Sequence, residues 1–214
     1  NIGLHPKHVI AENQQEIYIK KLTSELLKFA RSFSPRPIIY RATDFKSNEY
    51  KHLKWGFRYE QDEPNPLLGF RGAARYIANP DVFNLELEAI KRVRNKFGYR
   101  NLHLMIPFVR SPHELQQVKN LVTQAGLLRS PSFKLYMMVE LPTNIIQLDD
   151  FIQVGIDGVS IGSNDLTMLV LGTDRDNQEV AKAYNEMDPS VLWFLEKTVK
   201  TCLRHNITCS ICGQ

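Results

Sequence analysis

Short, almost continuously apolar segments alternate with amphipathic helical segments along this chain, and this alternation limits the possible fold more than any other feature. The apolar segments have the length and character of strands that are buried on both faces. They are 37–41, 67–72, 102–108, 134–140, 158–166 and 207–214. Helices are predicted over 14–32, from Pro80 to a stop at Gly98, from a capping box at Ser111 to Ala125, over 143–152, and from Pro189 to His205. Strands separated by helices in this way predict an α/β fold with a parallel sheet.

Two parallel architectures are compatible with this alternation. A doubly wound open sheet is disfavoured, because no strand is followed by G-x-G-x-x-G or by G-x-x-x-x-G-K-[ST]. A (β/α)8 TIM-type barrel fits better, since its strands follow one another around the barrel with a helix after each.

Composition limits the class of protein. The chain has 214 residues, of which 43% are hydrophobic and 23% charged, and this predicts one domain over residues 1–214. The net charge of +4 comes without a run of basic and aromatic residues, so a nucleic-acid partner is not expected. No apolar stretch approaches the roughly 20 residues of a membrane span, and no signal peptide is apparent. We expect a cytoplasmic protein without a membrane partner, and the missing initiator Met suggests a processed chain or part of a longer one.

The three cysteines are few, odd in number and crowded near one end, which predicts free thiols. Cys209 and Cys212 form a C-x-x-C motif, so a redox pair or half of a zinc site is an alternative. The residues around them predict a strand, in which positions three apart point to opposite faces. No second C-x-x-C or His pair completes a metal set, so we favour free thiols.

Polar side chains fall at the carboxyl ends of the predicted strands. They are Arg41, Arg71, Glu140, Asn164, Asp165 and Cys212. In a (β/α)8 barrel these ends converge on one mouth, where catalytic residues lie. The sequence therefore predicts one site built from scattered positions.

The residue types in this set suggest a class of chemistry. Glu140 and Asp165 are one strand-helix-strand repeat apart, and two such carboxylates suit Mg²⁺, although the acid/base pair of a glycosidase is the alternative use. Arg41 and Arg71 favour an anionic substrate that is held by forked hydrogen bonds. Cys212 adds a proton donor, with a buried core thiol as the alternative. A metal, two arginines and a proton donor indicate enolate chemistry on a small 2-keto acid.

Six ordered motifs carry a resemblance to a known family. They are RATDFKSNEY, NPLLGFRGAARY, LMIPFVRS, MMVELPTN, IGSNDLTMLVLGTDRD and ICGQ. Together they closely resemble the C-terminal domain of the phosphoenolpyruvate synthases, over essentially the whole chain. Pyruvate phosphate dikinase and Enzyme I of the sugar phosphotransferase system are sister families with the same skeleton, and DFKSNEY and CGQ favour the synthases.

The resemblance implies an activity and a set of partners. The family makes phosphoenolpyruvate from pyruvate, ATP and water, and it releases AMP and phosphate through a phosphohistidine. This chain would supply the pyruvate half-reaction. The ATP-binding domain and the domain that carries the phosphohistidine would be separate parts of the full-length enzyme.

The resemblance also implies roles for individual residues. Glu140 and Asp165 match the Mg²⁺ ligands, and Arg41 and Arg71 match clamps on the transferring phosphoryl group and the enolate oxygen. The remaining matches are Asn164 and the Ser163 backbone as phosphate donors, Arg175 as a carboxylate contact, and Cys212 as the acid/base at the methyl carbon.

The chain also departs from the family pattern. The first and last barrel strands are not included, so we expect an incomplete barrel of about six strands. Open sheet edges must be covered or paired, which suggests a homodimer or strand exchange. Two other functions stay open, which are a metal-dependent carbon-carbon lyase on the same barrel and a binding module without turnover.

Overall fold

The computed structural model describes residues 3–212 and belongs to the α/β class. Residues 1–2 and 213–214 lie outside the described part, and with them the predicted end of the last strand and the Gly-Gln of the CGQ motif. The helices are α1 (Pro6–Ala11), α2 (Gln15–Phe33), α3 (Ser47–Lys51), α4 (Ala73–Ala78), α5 (Pro80–Lys91), α6 (Pro112–Gln124), α7 (Pro142–Ile146), α8 (Leu148–Gly155), α9 (Ser163–Leu171) and α10 (Pro189–Arg204). The strands are β1 (Ile38–Arg41), β2 (Leu102–Ile106), β3 (Leu135–Val139), β4 (Gly158–Gly162) and β5 (Thr208–Cys212).

The strand order follows the chain order. Within the described residues one five-stranded sheet runs β1-β2-β3-β4-β5. A doubly wound sheet reverses its order at a switch point, whereas a (β/α) barrel does not. The α/β fold with an incomplete TIM-like set of strands is therefore confirmed, with five strands instead of about six.

The central strands show why their sequences are apolar on consecutive positions. β3 pairs with β4 and β4 with β5, both in parallel, and Met137 lies opposite Val159, which lies opposite Cys209. All residues of β3 and β4 are buried, whereas most of β5 is exposed. Both faces of β3 and β4 are thus covered, as a continuous apolar run predicts.

The predicted strand over 67–72 is wrong. This segment forms consecutive turns, with the amide of Leu68 donating to the carbonyl of Asn65 and that of Gly69 to Pro66. Glu63 folds beneath it and accepts a hydrogen bond from the Phe70 amide at 2.8 Å. Gly72 then takes a φ of 58° before α4 begins. The proline and the two glycines favour turns more than the leucines favour a strand.

The predicted strand over 158–166 is also too long. β4 ends at Gly162, and α9 begins at Ser163. Asn164 and Asp165 therefore lie in the first turn of a helix instead of ending a strand. The N-cap of α9 is Gly162, which makes no side-chain capping bond, so these polar residues do not cap the helix. The first turn of a helix accepts polar and acidic residues that a strand disfavours.

The predicted helices are confirmed, with one subdivision. The segment over 143–152 contains two helices, α7 and α8, which meet at Gln147. Asp188 caps α10, because its carboxylate accepts a hydrogen bond from the Ser190 amide at 2.8 Å. Asn79 and Pro80 begin α5, which continues as a π-helical turn over Arg92–Lys96 and is followed by Gly98 with a φ of 79°.

The chain divides into two compact units. The first comprises Asn1–Leu104 and Gln117–Lys134, and in it α2 packs against α5, with Leu26 and Leu87 among its buried residues. The second comprises Met105–Gln116 and Leu135–Gln214, and its core includes Val139, Ile161 and Leu166. Within residues 3–212, no helix combines the length and the apolarity that crossing a membrane requires.

Candidate active site

Glu140 directly follows β3 in the second unit and is only 2% exposed. One of its carboxylate oxygens accepts a hydrogen bond from the Phe108 amide at 2.6 Å. Phe108 has a φ of 47°, a left-handed conformation that costs a non-glycine residue on the order of 1–3 kcal/mol. The strained backbone directs its amide at Glu140, and this hydrogen bond fixes the position of one carboxylate oxygen.

Asn144 fixes the backbone on which Glu140 is carried. Its side-chain oxygen accepts from the amides of Glu140 and Leu141 at 3.1 and 3.0 Å, and its side-chain nitrogen donates to the carbonyl of Val109 at 2.6 Å. The side chain is fully buried. Asn144 therefore ties the end of β3 to the segment that follows β2.

Replacing Asn144 with alanine is expected to destabilise the protein by about 2–4 kcal/mol, because two backbone amides, one of them buried, and one buried carbonyl lose their partner. Urea unfolding would measure this change. Asn101→Ala is a matched control, since the Asn101 amide also bridges two carbonyls, those of Ala30 and Arg36, in the first unit. Both variants should lose stability, but only Asn144→Ala should weaken Mg²⁺ binding, and equal Mg²⁺ affinities in the two variants would contradict this role.

Gly162 leaves the space that the Glu140 side chain occupies. A Cβ atom at this position would lie 2.7 Å from Oε2 of Glu140, 3.0 Å from its Cβ and 3.1 Å from Cε of Met138. The φ of Gly162 is −88°, which any residue adopts. Glycine is therefore required here for space and not for backbone freedom.

Asp165 and Glu140 come together, as the sequence predicts. One carboxylate oxygen of each lies within 4.8 Å of the other. Asp165 is partly exposed in the first turn of α9, where the helix dipole favours negative charge. Two carboxylates at this separation offer the hard oxygen ligands that Mg²⁺ prefers and leave coordination positions for other oxygens, so this pair fits a divalent cation.

Ser163 and Asn164 are held by a loop that follows α9. The Ser163 hydroxyl donates to Glu186 at 2.9 Å, and the Tyr184 hydroxyl lies 3.0 Å from the same carboxylate and 3.1 Å from the side-chain oxygen of Asn164. Burial and the hydrogen bond to Glu186 raise the pKa of Tyr184, so its hydroxyl stays protonated and remains a donor. The loop thus orients two of the predicted substrate-binding residues.

Cys212 ends β5 directly opposite Gly162 in the parallel register. Its thiol is exposed and donates to the carbonyl of Ile161 at 3.4 Å. The Ser163 hydroxyl lies 3.4 Å from the Cys212 carbonyl. All three cysteines are free thiols, as predicted, and Cys212 lies beside the start of α9.

Arg175 lies on the exposed stretch after α9 and forms an ion pair with its neighbour Asp176 at 3.9 Å. Its positive charge acts on the Tyr184 hydroxyl and opposes the rise in the pKa of that group. Arg175 is therefore close enough to influence the loop that holds Ser163 and Asn164.

The two predicted arginines both lie in the first unit, where, within the described residues, only Arg71 is seen to pair with Asp44. Arg71 is 4% exposed and makes a forked pair with Asp44, with Nε–Oδ1 and Nη2–Oδ2 distances of 3.1 and 2.5 Å. Arg41 is exposed at the end of β1, and with Asp44 it lines a cavity of about 340 Å³. A forked pair of this kind fixes the plane of the Arg71 guanidinium.

Sequence reasoning missed several residues that shape these arrangements. They are Asp44, Phe108, Asn144, Gly162, Tyr184 and Glu186. Asp44 and Asn144 lie inside motifs that also contain predicted site residues, RATDFK and VELPTN, and this proximity was the available signal. The positive φ of Phe108 has no signature in the sequence.

A family model described as "PEP-utilising enzyme, PEP-binding domain" matches residues 1–214. A protein named phosphoenolpyruvate synthase from Aeropyrum pernix is 43% identical over 219 residues, which cover 100% of this chain and 26% of that protein. A protein of the same name from Pseudomonas aeruginosa is 45% identical over 235 residues, covering 100% of this chain and 30% of that protein. The chain thus spans about a quarter of the length of these relatives.

Among solved structures, an HpcH/Hpal aldolase/citrate lyase family protein from Burkholderia cenocepacia has a TM-score of 0.44 and 14% identity, over 62% of this chain and 54% of that chain. A similarity at this level carries no argument about the fold or the function.

Proposed function

Because the chain belongs to the PEP-utilising enzyme family as its PEP-binding domain, we propose that it binds pyruvate and phosphoenolpyruvate and catalyses the enolate half-reaction of a phosphoenolpyruvate synthase. In that reaction a phosphoryl group passes from a phosphohistidine, carried elsewhere in the full-length enzyme, to the pyruvate enolate. The observation that carries the proposal is the pair of carboxylates on Glu140 and Asp165, whose oxygens approach within 4.8 Å. The names of the relatives reported above favour the synthase over the dikinase and Enzyme I.

Glu140 and Asp165 would hold Mg²⁺. The bound cation would supply positive charge to the anionic oxygens of the substrate. The Phe108 amide holds the Glu140 carboxylate and Asn144 holds its backbone amide, so little reorganisation is needed when the cation and substrate bind.

Ser163 and Asn164 would donate hydrogen bonds to the phosphate through the first turn of α9, where backbone amides point outward. Arg175 would contact the substrate carboxylate. Support for these roles comes from the position of Ser163 and Asn164 beside Asp165 and from the loop residues Tyr184 and Glu186, which orient them.

Arg41 and Arg71 would neutralise the charge that develops on the enolate oxygen and the transferring phosphoryl group. For Arg71, the support for this role is the forked pair with Asp44, which holds the guanidinium in one plane. For Arg41, the support for this role is that the side chain is exposed and lines the same cavity as Asp44.

Cys212 would exchange a proton with the methyl carbon of the substrate. The thiolate takes a proton from pyruvate methyl to give the enolate and a thiol, and in reverse the thiol returns that proton to the methylene carbon. Its exposed position at the end of β5, opposite Gly162, supports this role.

Replacing Cys212 with alanine is expected to slow Mg²⁺-dependent deuterium exchange into the pyruvate methyl group by on the order of 100-fold, because a positioned acid/base is lost. Proton NMR in D₂O measures the exchange. Cys209→Ala, three residues earlier on the same strand, should exchange like the wild type.

Other outcomes of that experiment would point elsewhere. Full exchange in Cys212→Ala would remove the thiol from the mechanism. Aldol cleavage of a 2-keto acid substrate would indicate a lyase, and ligand binding without exchange by the folded wild type would indicate a binding module. Circular dichroism establishes that each variant is folded.

We also propose that residues 1–214 act as one domain in a cytoplasmic enzyme, together with ATP-binding and phosphohistidine domains. A family model that matches residues 1–214 supports one domain, and further domains are supported by the relatives, of which this chain spans 26% and 30%. A homodimer is proposed as well. Its support is the apolar surface of α10, on which Leu192, Val199 and Leu203 are exposed.

A further inference from the structure

Arg75 in α4 is the centre of a buried polar network in the first unit. The residue is only 8% exposed, and its guanidinium donates four hydrogen bonds. Both Nη atoms pair with the Glu60 carboxylate at 2.8 and 2.7 Å, Nη2 also reaches the Ser47 hydroxyl at 2.9 Å, and Nε reaches the Phe70 carbonyl at 2.6 Å. The rings of Tyr50 and Phe70 lie 4.5 Å from the guanidinium carbon.

Two of these contacts flank the Arg71–Asp44 pair. Phe70 immediately precedes Arg71, and Ser47 lies three residues after Asp44 and begins α3. Arg75 thus binds the chain next to each member of the forked pair. Arg75 lies four residues after Arg71, beyond the turn at Gly72. The two guanidiniums therefore attach the same short segment to residues that precede it in the chain, Arg71 to Asp44 and Arg75 to Glu60.

Glu60 completes the network. Burial opposes its ionisation, but hydrogen bonds from Arg75 and His5 outweigh that cost and lower the pKa of Glu60 to about 2. His5 accepts from the Lys7 amide through Nδ1, so its Nε2 carries the proton that is shared with Glu60 at 3.0 Å. The ring of His5 stacks on Tyr59 at 4.9 Å. Glu60 is therefore a fixed anion on which Arg75 is anchored.

We propose that Arg75 is a positioning residue for Arg71, acting through the Phe70 carbonyl and through Ser47 to hold the Arg71–Asp44 pair in the geometry that the enolate step requires. The proposal rests on the proposed role of Arg71. Arg75 itself does not touch the substrate. Binding the Phe70 carbonyl, Ser47 and Glu60 at the same time requires a planar group with several fixed donors, which the single ammonium group of lysine cannot supply.

The test compares Arg75→Lys with Arg94→Lys. Arg94 is a matched control in the same unit, because it is 2% exposed, donates to the carbonyls of Arg100, Leu102 and Ser132 at 2.6–2.7 Å, and lies 4.7 Å from the ring of Phe133. Both substitutions keep the charge and remove a forked donor set. Both are expected to lower the melting temperature.

The first readout is the Arg71 Nε–H resonance in ¹H–¹⁵N NMR, which reports its hydrogen bond to Asp44 and needs no catalysis. It should shift and exchange faster with solvent in Arg75→Lys and stay unchanged in Arg94→Lys. The second readout is pyruvate deuterium exchange. Arg75→Lys should lower kcat by on the order of tenfold and change KM by no more than about twofold, because the Arg71 guanidinium is still present but is no longer held in position.

The two possible failures can be told apart. If Arg71→Lys leaves exchange unchanged, the proposed function of Arg71 is wrong, and the Arg71 resonance still decides whether Arg75 positions it. If the resonance and kcat in Arg75→Lys match those of Arg94→Lys, Arg75 only stabilises the fold, and the inference is overturned.

Discussion

Replacing Glu140 with glutamine is expected to slow Mg²⁺-dependent deuterium exchange into pyruvate by on the order of 1,000-fold, since several kcal/mol of charge stabilisation are lost with the cation. Glutamine keeps the size of the side chain and an oxygen that accepts from the Phe108 amide. What it removes is the negative charge that, together with the Asp165 carboxylate, would attract the cation. Mg²⁺ affinity, measured by isothermal titration calorimetry, should fall in parallel.

Asp157→Asn is the matched control for this substitution. Asp157 precedes β4, and its carboxylate accepts from the Leu135 amide at 2.9 Å, at the opposite end of the same pair of strands. Loss of charge there should leave Mg²⁺ binding and exchange unchanged. A Glu140→Gln protein that binds Mg²⁺ as tightly as Asp157→Asn would show that the cation does not use this carboxylate.

The sequence predicted the fold class because local patterns and the global topology agree in this chain. β3 and β4 are continuously apolar, and the structure buries all their residues. The prediction failed over 67–72, where two glycines and the preceding Pro66 compete with an apolar run, and over 158–166, where a strand passes into a helix without a connecting loop. Hydrophobic periodicity cannot distinguish an apolar turn from a strand or locate the point where a strand becomes a helix, because short apolar runs are ambiguous.

The candidate site was predictable in part for the same reason. Glu140 and Asp165 were found by their positions after apolar runs, since parallel strands bring such positions to one edge. The residues that hold them were not found, because their roles depend on tertiary geometry. Phe108 contributes a backbone amide at a strained φ, and Gly162 contributes only the absence of a side chain.

The position of the Glu140 carboxylate therefore depends on the residues that surround it. On one side a strained amide directs a hydrogen bond at it, and on the other a glycine leaves it room. Backbone strain persists where the surrounding structure compensates for it, and here the compensation is the buried hydrogen bond from Phe108 to Glu140. A small steric change at Gly162 should thus affect function and stability together.

Replacing Gly162 with alanine is expected to reduce Mg²⁺ affinity and pyruvate exchange to nearly the level of Glu140→Gln, and to destabilise the protein by about 1–3 kcal/mol as an overpacked core. The new methyl group would lie 2.7 Å from Oε2 of Glu140, so the carboxylate must move away from Asp165 or lose its bond to Phe108. Calorimetric Mg²⁺ titration and urea unfolding measure the two effects.

Gly126→Ala separates loss of stability from loss of the site. Gly126 has a φ of 84°, and no atom lies within 4 Å of a Cβ built there, so alanine costs stability through backbone strain alone, by about 1–2 kcal/mol. Its Mg²⁺ affinity should equal that of the wild type. If Gly162→Ala also keeps wild-type affinity, the carboxylate has room that the structure does not show, and the steric fit between β4 and Glu140 does not control cation binding.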